Sequence, residues 1–302
     1  MKIIESVKNI FYLLKETTSQ AIEDNLLKLA AALSFFTIFS LPPLLVILIS
    51  LSGFFFGEEA VQGTLFGQIN GMIGDDAASK IQEAIKNVKL SGNTTIATVI
   101  SITILVLGAS RVFAEIQSSI NFIWGIRAKP KKGFMKFLLN RLMSFSMIAS
   151  LGFLLMVSLF INTAVDVLSN TLMQNFNDNW VYLTIVLNYV LLFVIVTTLF
   201  TIIFKTLPDG KVKLRDSIIG GLFTAFLFLL GKFGLGLVMG YTDIGSIYGA
   251  AGSIVLILVW VFFTAIILFF GAEFTKVYAA KYGKKIEPNE YTVKVVTKVV
   301  ED

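Results

Sequence analysis

Six long apolar runs alternate with polar segments along the chain, at about residues 29–57, 90–110, 142–165, 179–204, 217–242 and 244–272. Each run exceeds the roughly 20 residues that a helix rising about 1.5 Å per residue needs to cross a hydrocarbon core of about 30 Å. A water-soluble fold of 302 residues would leave too little polar surface around six helices that are apolar on every face. The pattern therefore predicts an all-α integral membrane protein with six transmembrane helices.

The basic residues predict the orientation of these spans. Four lie before the first run, seven in the second loop, four in the fourth loop and six after the last run, which is 21 of the 25 Lys and Arg residues. Because cytoplasmic segments beside spans are enriched in Lys and Arg, both termini are predicted to be cytoplasmic. The chain then divides into an N-terminal segment 1–28, a membrane domain 29–274 and a basic cytoplasmic tail 275–302.

The N-terminal segment has an amphipathic pattern of its own. Apolar residues recur at helical spacing from Ile3 to Leu14, with Lys and Glu on the rest of the wheel. Residues 69–88, in the first outer loop, repeat the pattern. The N-terminal segment is predicted to be an interfacial helix along the inner membrane surface. Residues 69–88 are predicted to form one or two short helices that cap the outer side, either packed on span ends or resting in headgroups.

Composition narrows the chemistry. The chain has no Cys and no His, which excludes disulfides, thiolate nucleophiles and zinc sites built on His clusters. We find no phosphate-binding Gly-rich loop or nucleophile elbow, so we expect no enzymatic activity, no cofactor and no metal. The net charge of +5 is spread over the segments beside the spans. We therefore expect membrane phospholipids as partners rather than nucleic acid, and a homo-oligomer stays open.

Three stretches carry a resemblance to a known family: AAALSFFTIFSLPPLL at residues 30–45, LPDGKVKLRDSIIGG at 207–221 and YGAAGSIVLILVWVFFTAIILFFGAEF at 248–274. They resemble the YihY/virulence factor BrkB family. The resemblance implies a six-helix protein of the bacterial cytoplasmic (inner) membrane, for which transport is the usual conjecture. The family has also carried a ribonuclease BN label, which a chain without histidine does not support as a zinc tRNA-processing enzyme.

Polar residues inside spans are the best guide to a site, because they are costly unless they face protein, water or headgroups. Lys232 interrupts the fifth run, and further polar residues are placed at a similar depth toward the outer side. The candidate substrate-binding residues are Lys232, Asn162, Asp166, Asn188, Asp243 and Tyr248. They line an outer cavity in which Lys232 binds an anion, or else Lys232 snorkels to the outer headgroups while the others tie helices together. Lys232→Met separates the two interpretations, since a snorkelling residue is replaceable.

Prolines and glycines predict special helix geometry. Pro42 and Pro43 predict a kink in the first span, which is either structural or a pivot. Gly236/Gly240 and Gly245/Gly249 have the small-xxx-small spacing that lets helices approach closely. They predict tight packing of the last two spans, with a broken helix near residues 241–245 as the alternative.

Charged residues at the cytoplasmic span ends are expected to interact. Arg111, Glu115, Arg215, Asp216 and Glu273 occupy positions that match the family motifs. They predict a salt-bridge network that holds the helix ends together, or a cytoplasmic gate.

The sequence thus favours a transporter or flippase of an amphipathic, anionic lipid-like or small organic substrate. The first alternative is a non-transporting membrane scaffold or envelope assembly factor. The second, an ion channel, is disfavoured because no ring of like charges or carbonyl filter is evident in one chain.

Overall fold

The computed structural model describes residues 2–40, 95–129, 179–241 and 252–295. In these ranges the chain is mainly helical, with short strands between helices. The elements are α1 (Lys2–Glu23), α2 (Leu26–Ser40), α3 (Thr95–Ile123), β1 (Ile126–Ala128), α4 (Asn179–Thr206), β2 (Gly210–Lys211), α5 (Leu214–Tyr241), α6 (Gly252–Tyr282), β3 (Glu287–Pro288) and β4 (Thr292–Lys294).

Among the described residues, segments of three helices are long and apolar enough to cross a membrane. They are Tyr189–Thr206 in α4, Leu214–Gly234 in α5 and Ile257–Tyr282 in α6. These three coincide with the fourth, fifth and sixth apolar runs, because a long apolar run can satisfy its backbone hydrogen bonds in lipid by forming a helix. The described part of the first run, α2, is a shorter apolar helix.

All of the strands lie at one end of the bundle, where α1 and α2 meet and where α3, α4 and α6 end. We call it the inner end, because the basic segments that predict the cytoplasmic side are found there. The core at this end is built from apolar side chains of α2 to α6, and Ile120, Phe204 and Phe269 are among its fully buried members. The inner end is therefore a packed region, not a set of loose loops.

The N-terminal segment forms α1, as the amphipathic pattern predicts, and the helix extends to Glu23. Its buried side packs on α6 through Leu13, which clusters with Phe274 and Val277. The turn to α2 is made by Asn25, whose φ of 52° is in the left-handed region that Asn tolerates better than most residues. This tight turn fixes α1 against the start of α2.

α3 continues well past residue 110, where the second apolar run ends, and stops at a glycine. Gly125 has a φ of 66° and donates its N–H to Phe122 O at 2.9 Å, which ends the helix in a left-handed cap. A side chain at Gly125 would also crowd Val295 O, since a Cβ would lie 3.1 Å away. Val295 N in turn donates to Gly125 O at 2.8 Å, so the cap is joined to the C-terminal segment.

The C-terminal segment folds back over the inner end as two short antiparallel ladders. β4 pairs with β1, with Ile126 opposite Lys294, and β3 pairs with β2, with Gly210 opposite Pro288. α6 itself runs to Tyr282, so residues 275–282 are helix and part of the remaining tail is strand. Charged residues such as Lys and Glu favour helix about as well as Leu, which is why the end of an apolar run does not mark the end of a helix.

α5 packs between α4 and α6, and its contact with α6 is a reciprocal pair of Gly-x-x-x-Thr motifs. Thr224 of α5 donates to Gly220 O at 2.7 Å, and Thr275 of α6 donates to Gly271 O at 2.7 Å. A Cβ at Gly220 would overlap the Thr275 hydroxyl, and a Cβ at Gly271 would overlap that of Thr224. Each threonine thus occupies the space left by a glycine of the other helix, which is small-xxx-small packing.

We expect Gly220→Ala to lower stability, because Thr275 is held by its own hydrogen bond and cannot move aside without losing it. Overpacking of this kind costs about 1–3 kcal/mol. The measurement is the midpoint of thermal unfolding of the purified protein in detergent, followed by circular dichroism.

Gly234→Ala is the matched control on the same helix, because a Cβ there has nothing within 4 Å. It should keep or raise the midpoint, since alanine favours helix by about 1 kcal/mol over glycine. Equal midpoints for the two variants would contradict the reciprocal packing of α5 and α6.

Candidate functional site

The structure describes part of the predicted outer site. Lys232 lies on α5 with its side chain exposed, beside the exposed Phe233. Asn188 lies in α4, and Gly236 and Gly240 lie in α5. The other predicted positions lie outside the described residues: Pro42, Pro43, Asn162, Asp166, Asp243, Tyr248, Gly245 and Gly249. The outer cavity and the proline kink therefore stay predictions.

The residues predicted to form the cytoplasmic network are divided among separate contacts. The Arg111 guanidinium lies 4.4 Å from the ring centroid of Phe36, a cation–π contact. Arg111 and Glu115 do not form an ion pair in the described part of the chain, but burial raises the pKa of the Glu115 carboxyl and the Arg111 charge partly opposes that rise. Arg111 therefore ties α3 to α2 through an aromatic ring.

At the start of α5 the two predicted residues differ in burial. Arg215 is exposed, whereas Asp216 is buried in the first turn, where a carboxylate suits the helix dipole. The Asp216 carboxyl packs directly on Gly283, because a Cβ at Gly283 would overlap it. This contact fixes the end of α6 against the start of α5.

Glu273 is the predicted residue with the closest charged partners. Its side chain is 0% exposed, and the Lys276 Nζ lies 3.2 Å from its Oε2. The same Nζ lies 3.5 Å from Asp24 Oδ2, so one ammonium serves two carboxyl groups. Lys276 thereby links α6 to the turn between α1 and α2. Asp24 and Lys276 were absent from the predicted network.

A second set of polar contacts at the inner end is centred on Asp209, in the loop between α4 and β2. Asn121 Nδ2 donates to Asp209 Oδ2 at 2.7 Å, and Asp209 N donates back to Asn121 Oδ1 at 2.8 Å. Gln117 Nε2, one turn earlier on α3, donates to Asp209 Oδ1 at 3.4 Å. The Asp209 carbonyl accepts from Asn289 N at 3.0 Å and from Thr292 Oγ1 at 3.2 Å. We call this set the Asp209 hub.

Apolar contacts beside the Asp209 hub join the same elements. The indole of Trp124 donates to Ala272 O at 3.0 Å and so connects the end of α3 to α6. Gly210 fits against Trp124, Ile126 and Ile286, and a Cβ there would lie 2.7 Å from Ile126 Cδ1. Two residues of the LPDG sequence thus have a structural role. Asp209 binds α3, and Gly210 leaves room for Ile126 and Ile286.

A cavity of about 1020 Å³ opens between the Asp209 hub and the Lys276 ion pairs. Gln117, Asn121 and Trp124 lie in its wall. Its charged lining residues are Asp24, Asp209, Arg127, Lys276, Lys285 and Lys294. Four cationic and two anionic side chains favour an anion, and the volume is that of a small-molecule site. Among the described residues, no group of His, Cys, Asp and Glu is arranged to hold a metal ion.

We expect Asn121→Leu to destabilise the protein, because it removes two hydrogen bonds and leaves the buried Asp209 carboxylate under-satisfied. The cost of such a change is about 1–3 kcal/mol. Thermal unfolding in detergent measures it. Ser118→Ala is the control on an exposed position of the same helix, and similar midpoints for the two variants would show that the Asp209 hub does not hold the inner end together.

Comparison with known proteins places the chain in a family. The model of the virulence factor BrkB family matches residues 17–294, so the match includes the Asp209 hub and the Lys276 ion pairs. No solved structure gives a significant match.

Similar curated proteins are named UPF0761 membrane proteins. That of Saccharophagus degradans is 28% identical over 272 residues, which is 90% of this chain and 60% of the relative. That of Alkalilimnicola ehrlichii is 28% identical over 85% of this chain and 56% of the relative, and that of Vibrio campbellii is 27% identical over 89% and 82%. The chain thus spans less than two thirds of the length of the first two relatives. With apolar helices long enough to cross a membrane and a family match over most of its length, the chain belongs to the virulence factor BrkB family of membrane proteins.

Proposed function

We propose that this membrane protein is a transporter or flippase of an amphipathic, anionic substrate, either lipid-like or small and organic, and that it is not an enzyme. The observation that carries the proposal is the cavity at the inner end. It is large enough for a phospholipid headgroup or a small organic anion, and its lining carries more cationic than anionic side chains.

Six spans with both termini at the cytoplasmic side of a bacterial inner membrane are part of this proposal. α2 and α5 run away from the inner end, whereas α3, α4 and α6 run toward it. The chain reaches the inner end at β1 and re-enters the described structure at Asn179, where α4 begins about 42 Å of helix away. The third apolar run, at 142–165, lies outside the described residues and would supply the missing outward crossing.

The position of α1 supports a substrate taken from the membrane surface. Phe11 is 69% exposed and Ile22 is 72% exposed, whereas Leu13 on the other side of the helix is buried on α6. An amphipathic helix with apolar side chains facing outward suits the boundary between headgroups and acyl chains. Asp24, directly after α1, lines the cavity. A lipid beside α1 would therefore have its headgroup near the cavity.

A membrane scaffold is the second candidate function, and the Gly-x-x-x-Thr packing favours it. Gly220 and Gly271 hold α5 and α6 in close contact near the inner end, and on the other side of α5 a Cβ at Gly221 would overlap the Thr201 hydroxyl of α4. Three helices locked in this way form a rigid platform. In a scaffold the basic residues around the cavity would recruit anionic lipid or an acidic partner without transport.

Reconstitution into liposomes tests the proposal by following movement of fluorescent anionic and zwitterionic phospholipids between leaflets. Wild type should move the anionic lipid faster than empty vesicles do. The variant Arg127→Gln/Lys285→Gln/Lys294→Gln should reduce this transfer. At about 1 kcal/mol for each basic residue near a headgroup, the reduction is roughly a hundredfold at low lipid concentration.

The matched control is Lys211→Gln/Lys213→Gln/Arg215→Gln, which removes the same charge from exposed residues outside the cavity lining. It should retain most of the transfer. Lys232→Met belongs in the same series, because its loss of transfer would add an anion contact on α5 to the substrate path. No transfer above that of empty vesicles for any lipid would contradict a flippase. Equal losses in the two triple variants would show that the cavity is not part of the substrate path.

A further inference from the structure

Glu273, which is fully buried, and Asp24, which is partly exposed, form a carboxyl pair with too little positive charge around it. Both lie within 3.5 Å of Lys276 Nζ, whose side chain is 29% exposed, whereas the Asp24 side chain is 26% exposed and that of Glu273 is 0% exposed. Since both contact one nitrogen atom, the two carboxyl groups are close neighbours. If both carboxyl groups were ionised, the three side chains together would have a net charge of −1, although Glu273 is fully buried.

The hydrogen bonds of Glu273 point to the same imbalance. Lys276 Nζ donates to Oε1 at 3.3 Å, but Oε2 receives no hydrogen bond among the described residues although Nζ is 3.2 Å away. A buried carboxylate that is incompletely paired is costly, and two carboxyl groups that share a site relieve the cost when one of them holds a proton. A proton on Oε2 would make that oxygen a hydrogen-bond donor, with the neighbouring Asp24 carboxylate as the acceptor.

We propose that Glu273 is a proton-binding site, and that the proton and the Lys276 ammonium alternate as its neutralising partner. Lys276 also lines the cavity, so an anion bound there would compete with Glu273 for the ammonium. As Lys276 turns to the anion, Glu273 takes one proton from water in the cavity and donates the new O–H to Asp24. The proton returns to water when the anion leaves.

The proton site rests on the carboxyl pair alone, whereas its link to an anion rests on the proposed function. The charged groups that act on Glu273 are Asp24, from the turn between α1 and α2, and Lys276, on α6 itself; no other ionisable side chain in the described segments contributes. Substitutions at the two positions should therefore have opposite effects. Loss of the Lys276 cation should strengthen proton binding by Glu273, and loss of the Asp24 anion should weaken it.

Infrared difference spectroscopy of the purified full chain during a pH titration tests the proton site directly, because a protonated carboxyl has a C=O band separate from that of carboxylates. Wild type should show a buried carboxylic acid band that disappears as the pH rises, and Glu273→Gln should abolish it. Lys276→Met should raise the titration midpoint and Asp24→Asn should lower it, each by about 1–3 pH units.

Lys276→Arg and Lys281→Met are the controls. The first keeps the cation, and the second removes a lysine of the same helix that instead contacts Asn9 and Tyr12. Both should leave the midpoint near the wild-type value. A band that persists in Glu273→Gln, or a midpoint that shifts in the same direction in Lys276→Met and Asp24→Asn, would overturn the proton site whether or not the liposomes show transport.

Addition of an anion tests the link to the cavity, with inorganic phosphate and short-chain phosphatidylglycerol as probes. Either probe should raise the midpoint in wild type and leave that of Lys276→Met unchanged. A response to phosphate indicates that a free anion is sufficient, and a response to phosphatidylglycerol alone indicates a lipid headgroup. No response to either probe would overturn the coupling and leave the proton site standing. If the protein shows the titration of Glu273 but transports no lipid, the proposed function is contradicted and the proton site is not.

Discussion

The inner end of this protein depends on how one buried carboxylate is satisfied. Asp209 and Asn121, each 9% exposed, exchange two hydrogen bonds across 88 residues of sequence, and the Asp209 carbonyl also holds the C-terminal segment. A charge removed from water must be matched by such donors or it destabilises the fold. One residue, through its side chain and its backbone, therefore decides where the end of α3, the loop after α4 and the final strands meet, and the cavity exists because these elements meet there.

The contacts of α6, which lines the cavity through Lys276 and Ala280, differ in how firmly they are held. On the side of α5, Gly220 and Gly271 lock the two helices together by close backbone approach, and such contacts leave little room for movement. On the other side, the turn at Asp24 is joined to α6 by Lys276, a flexible side chain that is partly exposed. A substrate in the cavity would meet an exchangeable ion pair on a helix that is otherwise firmly held, so the first response to binding is expected at Lys276.

Local pattern was sufficient for the helices and insufficient for the contacts between them. The long apolar runs predicted α4, α5 and α6, and the helical spacing from Ile3 to Leu14 predicted α1. No local signal pairs Asp24 with Lys276, which lie 252 residues apart, or pairs β1 with β4. Asp209 stood within a motif used for the family resemblance, yet only the fold shows that its partner is Asn121. The sequence predicted close packing at glycines near the end of α5, such as Gly236 and Gly240. The structure shows a glycine near the start of α5, Gly220, packed against Thr275.

Labelling of the cavity from one side of the membrane tests the central claim most directly. The natural chain has no cysteine, so Ser118→Cys, at an exposed position that lines the cavity, would give a single reactive thiol. In sealed vesicles of known orientation, a membrane-impermeant maleimide should label it only from the side that carries the termini. Short-chain phosphatidylglycerol should slow the labelling, and the phosphatidylcholine of equal chain length should not. Labelling from the opposite side, or an equal rate with both lipids, would contradict an inner cavity that receives an anionic substrate.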